Sequence, residues 1–141
     1  MLISEILTDK GRDVVHVGAD ASIAEATALL HRHRIGAVLV MDGDAIAGVL
    51  SERDIVRGLH ANGASVLDHN VRGCMTTPVV TVRPGDRIDD ALEIMTERRF
   101  RHLPVLDQGR LVGVVSIGDL VKHKIEAAER ETADLKSYIA A

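Results

Sequence analysis

The segment from Val14 to Arg57 lies over the segment from Val79 to Lys122 at a constant offset and without a gap. Identical pairs run the length of the match: Val17 with Val82, Ile23 with Ile88, Ala26 with Ala91, Asp42 with Asp107, Gly48 with Gly113, Ser51 with Ser116 and Asp54 with Asp119. A duplication this regular means that one supersecondary unit is built twice, so the fold is two copies of whatever a single copy dictates.

Each copy opens on a short apolar stretch, Val14 to Val17 or Val79 to Val82, which predicts a strand ending in a polar turn. A helix follows. In the first copy Ser22 and Glu25 have capping-box spacing, and Ile23, Ala26, Leu29 and Leu30 recur with helical period; Ile88, Ala91, Leu92 and Met95 repeat that face in the second. Two β-branched runs then flank Asp42-Gly43-Asp44 and Asp107-Gln108-Gly109, which predicts a hairpin in each copy. Each hairpin leads through Ser-x-x-Asp into a periodic apolar stretch, Ile55 to Leu59 or Leu120 to Ile125, read as a helix beginning at a polar cap. The expected fold is therefore α/β in the broad sense (α+β), two pseudo-symmetric βαββα repeats: residues 1–65 hold the first with an N-terminal segment, and residues 66–141 hold the second with a connector helix near Val66 to Met75 and an extended C-terminal helix.

Composition suits this scheme. The 141 residues carry 46% hydrophobic but only 1% aromatic side chains, so the core must be aliphatic, of β-branched strands against Ala- and Leu-rich helices. A net charge of -4 argues against general nucleic-acid binding, which needs clustered excess Lys and Arg. Cys74 is the single cysteine, which excludes a disulfide framework and a Cys-rich zinc site and makes a reducing cytoplasm the simplest compartment. Met1 to Lys10 lacks the basic start and apolar run of a signal peptide, and no stretch approaches the roughly 18 apolar residues of a membrane span.

Catalytic and metal patterns do not assemble. His31 and His33 are two apart on a helix and diverge, while His16, His60, His69 and His123 each stand alone, expected at the surface or at helix ends. Ser51 and Ser116 lack a nucleophile elbow, and neither the P-loop nor the dinucleotide fingerprint occurs. The chain is expected not to be an enzyme and to hold no metal.

The two Ser-x-x-Asp turns are the chemically suggestive feature. Ser51 with Asp54, and Ser116 with Asp119, are explained by ordinary helix capping, yet a helix start also offers backbone N–H groups to phosphate, and a carboxylate there can accept both hydroxyls of a ribose. The duplicated order of strand, helix, hairpin and Gly-hydrophobic-hydrophobic-Ser-x-x-Asp turn resembles the cystathionine-β-synthase (CBS) domain, over nearly the whole chain. The resemblance implies a stand-alone pair of CBS repeats, a Bateman module, with clefts that take an adenine nucleotide such as AMP, ADP, ATP or NAD(H), no catalytic cofactor, and a regulatory role toward another protein. Members of that family combine the Ser-x-x-Asp turn of one repeat with the pre-hairpin segment of the other. The resemblance thus assigns Asp119, Ser116 and Val114 to one cleft with Ile35, Gly36, Ala37 and Ala26, and assigns Asp54, Ser51 and Val49 to the other with Phe100, Arg101, His102 and Ala91. Arg53, Arg98, Arg99 and Arg101 make the second the more cationic, fit for phosphates unless they are a solvated helix end. The alternative is an interaction module with empty clefts.

Beyond the repeats, Val121, Ile125, Ala128, Thr132, Leu135 and Ile139 form a heptad-like seam among charges. This stripe either folds back on its own domain or serves self-association. Apolar helix faces near Val66 to Val71 and Ile125 to Ile139, expected to be exposed, give the preference for a homodimer.

Overall fold

The computed structural model describes residues 1–11 and 13–140. Along the chain these form α1 (Ile3–Lys10), β1 (His16–Gly18), α2 (Ile23–His33), β2 (Ala37–Asp42), β3 (Ala45–Ser51), α3 (Glu52–Asn62), α4 (Ile88–Arg98), β4 (His102–Asp107), β5 (Arg110–Ser116) and α5 (Ile117–Ala140). Packing divides them into two units, Val14–Val80, and Met1–Asp13 with Thr81–Ala141. The division at residue 65/66 follows the repeat, whereas packing gives the connector to the first repeat and the N-terminal helix to the second.

In the unit Val14–Val80, β1 runs parallel to β2, and β2 and β3 form an antiparallel hairpin closed by Gly43-Asp44, with Gly43 at φ 63°. The parallel pair needs a crossover, and α2 supplies it, laying Ile23, Ala26 and Leu30 onto the sheet. Ser22 caps α2 by accepting the Glu25 amide at 3.1 Å. The core is aliphatic as composition requires, with Val38, Val40 and Leu50 from the hairpin under Ile55 and Val71.

The connector differs from the expected helix. It consists of two 3₁₀ turns, Gly63–Asp68 and Val71–Gly73, tied to the start of α2 by Ile23 N–H to the His69 carbonyl and Val71 N–H to the Ala21 carbonyl, both 2.9 Å. Val66 and Val71 are fully buried. Their apolar face was expected at the surface and instead completes the core of this unit, so it lends no support to a dimer. Gly58 permits the packing: a β-carbon there would stand 3.0 Å from Val66 and 3.1 Å from the Cys74 sulfur.

In the other unit β4 and β5 form the equivalent hairpin, closed by Gln108 and Gly109, both at positive φ, the two-residue turn that matches strand twist. The strand expected at Val79 to Val82 is reduced to a parallel bridge of Val82 with Val105, because Pro78 and Pro84 bracket the segment and have no N–H to continue a ladder. α1 lies against this hairpin and α5: Ile3, Ile6 and Leu7 are buried, and Leu7 occupies the space above Gly113.

α5 is the extended C-terminal helix, 24 residues long. It is anchored by Leu120 and by His123, which is buried and places Nε2 3.2 Å from Asp9 of α1. His123 corrects the expectation of surface histidines. The stripe from Val121 to Ile139 is largely exposed, although Leu135 borders an open hollow that Met1, Glu5, Thr8 and Asp9 of the N-terminal segment also line. No described helix is long and apolar enough to cross a membrane, and no cluster of metal-ligating side chains occurs among the described residues.

Candidate nucleotide-binding turns

Each Ser-x-x-Asp turn is made by a strand running directly into a helix. β3 ends on Ser51 as α3 begins, and β5 ends on Ser116 as α5 begins. The first helical amide is taken in both copies by the pre-hairpin segment of the same repeat: Glu52 N–H donates to the Gly36 carbonyl at 3.0 Å, and Ile117 N–H to the Arg101 carbonyl at 2.8 Å. The third is taken by the cap, Asp54 N–H to Ser51 Oγ at 3.2 Å and Asp119 N–H to Ser116 Oγ at 3.1 Å. The helix start is therefore less open to phosphate than free N–H groups would make it; the second amide, of Arg53 or Gly118, is the one left over.

Strand register fixes the neighbours. Ala37 pairs with Ser51, and His102 pairs with Ser116. Within each unit the structure thus joins Gly36 and Ala37 to Ser51 and Glu52, and Arg101 and His102 to Ser116 and Ile117. Ile35, Gly36 and Glu52 also line an open hollow of about 820 Å³ between the end of α2 and the start of α3, with His31, Arg32 and Arg34 on its rim.

The two carboxylates are not alike. Asp54 is 5% exposed, and its oxygens accept from Ser51 N–H and Oγ at 3.0 Å, from Thr76 Oγ1 at 3.2 and 3.3 Å and from Arg57 at 3.3 Å. Asp119 is 26% exposed. Its Oδ2 accepts from Ser116 N–H at 2.8 Å and from Lys10 Nζ at 2.6 Å, and Lys10 also donates to the Val114 carbonyl at 2.9 Å. Burial pushes Asp119 toward its neutral form, but the Lys10 and Ser116 hydrogen bonds outweigh it and hold the carboxyl below the usual range. Its Oδ1 faces no protein donor among the described hydrogen bonds.

Of the other residues named from sequence, Val49, Val114, Ile35, Phe100 and His102 are half-buried, and Arg53 and Arg101 are exposed. Ala26 and Ala91 are fully buried in the cores of their own repeats. The resemblance assigns them to the surroundings of the base, and both side chains are closed off from solvent. The cationic cluster also narrows. Arg99 is the left-handed cap of α4 exactly where Arg34 caps α2, and His31, Arg32 and His33 give α2 an equally basic end. In the pre-hairpin segment the copies differ by Phe100 for Ile35, Arg101 for Gly36 and His102 for Ala37, and in the first helical turn by Ile117 for Glu52 and Gly118 for Arg53. Lys10 was missed because it lies outside the repeat, and a lysine in the last turn of a helix reads as an ordinary dipole partner.

The CBS domain family model matches residues 3–61 and 71–126. A mitochondrial CBS domain-containing protein of Arabidopsis thaliana is 30% identical over 97% of this chain and 71% of its own length. Among solved structures, a CBS-domain containing protein of Agrobacterium tumefaciens is 46% identical, with a TM-score of 0.86 over 88% of this chain and 99% of that one. A CBS domain protein of Pyrobaculum aerophilum complexed with AMP is 32% identical, with a TM-score of 0.75 over 84% of this chain and 89% of that one.

Proposed function

This chain belongs to the CBS-domain family as a tandem pair, and from that premise we propose that it is a regulatory module that binds an adenine nucleotide, AMP, ADP, ATP or NAD(H), and passes the signal on as a change of conformation or assembly. The observation that carries the proposal is the Ser116–Asp119 turn: a carboxylate held ionised at a helix start, with one oxygen unspent, is the acceptor that a ribose diol requires. That the related P. aerophilum protein is complexed with AMP supports the ligand class.

In this reading Asp119 takes the ribose, with Ser116 and Val114 beside it and Ile35, Gly36 and Ala37 assigned to the same ligand by the crossed scheme of the family. The second assignment, Ser51, Val49 and Arg53 with Phe100, Arg101 and His102, suits phosphate through Arg101, while Asp54 serves mainly as an internal strut. The module works by binding and not by turnover, in the cytoplasm, and a regulated protein partner reads its state. A ligand signals only by binding two states unequally.

Thermal shift and calorimetry with AMP, ATP, NAD, NADH and S-adenosylmethionine, with GMP as control, test the proposal. Stabilisation by an adenine compound, reduced in Asp119→Ala, supports it. Arg101→Ala is expected to weaken phosphorylated ligands more than adenosine. Both carboxylates already have partners within the chain, and this favours the second reading, an interaction module with empty clefts. Silence across the panel selects it.

A further inference from the structure

α1 and α5 form two walls of an open hollow of about 800 Å³ that shares no residue with either Ser-x-x-Asp turn. That volume lies within the range of small-molecule sites, about 300–1,000 Å³. The α5 wall is one helical face, running from His123 through Ala127 and Glu131 to Tyr138 at steps of three and four residues, and Glu5, Thr8 and Asp9 share a side of α1 in the same way. Nothing in the first repeat corresponds to the α5 wall. α3 ends at Asn62, which the repeat offset sets level with Ala127, and the CBS match stops at residue 126.

The lining side chains carry four carboxylates, Glu5 and Asp9 on one wall and Glu131 and Asp134 on the other, against the single guanidinium of Arg130. Glu131 and Asp134 have no ion-pair partner among the described residues. Apolar surface accompanies the acids: Ala127 leaves room on the α5 wall, and Leu135 and Tyr138 beyond it are 56% and 83% exposed. Carboxylates on two walls with apolar surface between them complement ammonium groups joined by methylenes, and an exposed tyrosine ring offers its face to a cation.

His123 is an independent sign of a ligand. It is 8% exposed and lines the hollow. A carboxylate can only accept, so the hydrogen shared with Asp9 at 3.2 Å sits on Nε2, and in the neutral ring Nδ1 is an acceptor. Nδ1 is closed off from solvent and has no partner among the described residues. A buried acceptor costs free energy until a donor reaches it, and after a small turn of the ring an ammonium group on the floor of the hollow is that donor.

We propose that this hollow binds a linear aliphatic polyamine, with Glu131 and Asp134 holding one ammonium group, Asp9 and His123 another, and Leu135 and Tyr138 covering the methylenes. Both walls are helices and offer no strand edge to an extended peptide, so a small flexible cation fits better than a protein segment. Nucleotide binding is not a premise of this inference.

Isothermal titration calorimetry of the full chain with spermidine in low salt tests it, with circular dichroism to verify that variants keep their fold. One saturable site with a Kd below about 100 μM is expected. Glu131→Gln with Asp134→Asn is expected to raise that Kd about tenfold, whereas Glu93→Gln with Glu97→Gln, which removes the same charge from exposed positions of α4, is expected to change it less than about twofold. Butylamine, with one ammonium group, is expected to bind at least about tenfold more weakly than spermidine. In proton NMR the ring resonances of His123 are expected to move on saturation while those of His31 and His33 stay. No saturable binding, equal losses in the two double variants, butylamine binding as tightly as spermidine, or His123 resonances that do not move overturns the proposal.

Discussion

The turns at Ser51–Asp54 and Ser116–Asp119 share a sequence motif and a backbone course but spend their carboxylates differently. In the first, Thr76 from the connector and Arg57 from α3 complete a closed network, and Asp54 is part of the fold. In the second, a single lysine from α1 reaches one oxygen, and Asp119 stays half-open. Duplication copied the motif, and the segments packed against each copy decided its use. A carboxylate with every lone pair committed stabilises; one with an oxygen to spare can also bind.

Replacing the two aspartates should separate these roles. Asp54→Ala strands the Ser51 amide and the Thr76 hydroxyl where water reaches poorly, and is expected to cost about 2–3 kcal/mol, read as a lowered urea midpoint. Asp119→Ala removes a cap and a half-exposed ion pair, and is expected to cost about 1 kcal/mol while reducing whatever stabilisation the proposed adenine ligand gives. Equal losses of stability would mean that the difference in burial does not matter and that capping is the work of both.

The repeat made most of this fold legible. The crossover helices, the hairpins with their turns, and the strand-to-helix turns all follow from periodicity and punctuation that a single copy carries and the other confirms. Residues that act across the chain were not legible. Lys10 and Thr76 reach the aspartates from outside the repeated segment, and no local pattern marks a side chain whose partner is 109 or 22 residues away. His123 was missed for the same reason, its burial being set by α1. The burial of Ala26 and Ala91 was legible in their helical spacing with Ile23 and Ile88.

The glycines before each turn sharpen the contrast. A β-carbon at Gly48 would lie 2.6 Å from the Met75 sulfur and 3.0 Å from the Thr76 carbonyl oxygen, and the second of these belongs to backbone bridged to Val49. At Gly113 it would meet chiefly the tip of Leu7, at 2.6 Å, a side chain that can turn aside. Gly48→Ala is expected to cost about 2 kcal/mol and Gly113→Ala about 1 kcal/mol or less, compared by thermal unfolding. The reverse order would show that α1 is held more rigidly than the connector.

The smallest effect is a matter of pH. Because Lys10 and Ser116 hold the Asp119 carboxyl below its unfolded value, the stabilisation they give is fully present above about pH 4 and is lost as the pH falls through the folded value. Lys10→Met is therefore expected to be less stable than the wild type at pH 7, with the two converging as the pH falls through the folded value of Asp119, as followed by urea unfolding across the acid range. Asp89 is lowered in the same direction by Lys124, but it is more exposed than Asp119, so 0.5 M NaCl should erase its share first and leave more of the Lys10 difference. A Lys10 difference that stays constant with pH would mean that the lysine stabilises through its hydrogen bond to the Val114 carbonyl, and the asymmetry between the two turns would then lie in packing and not in charge.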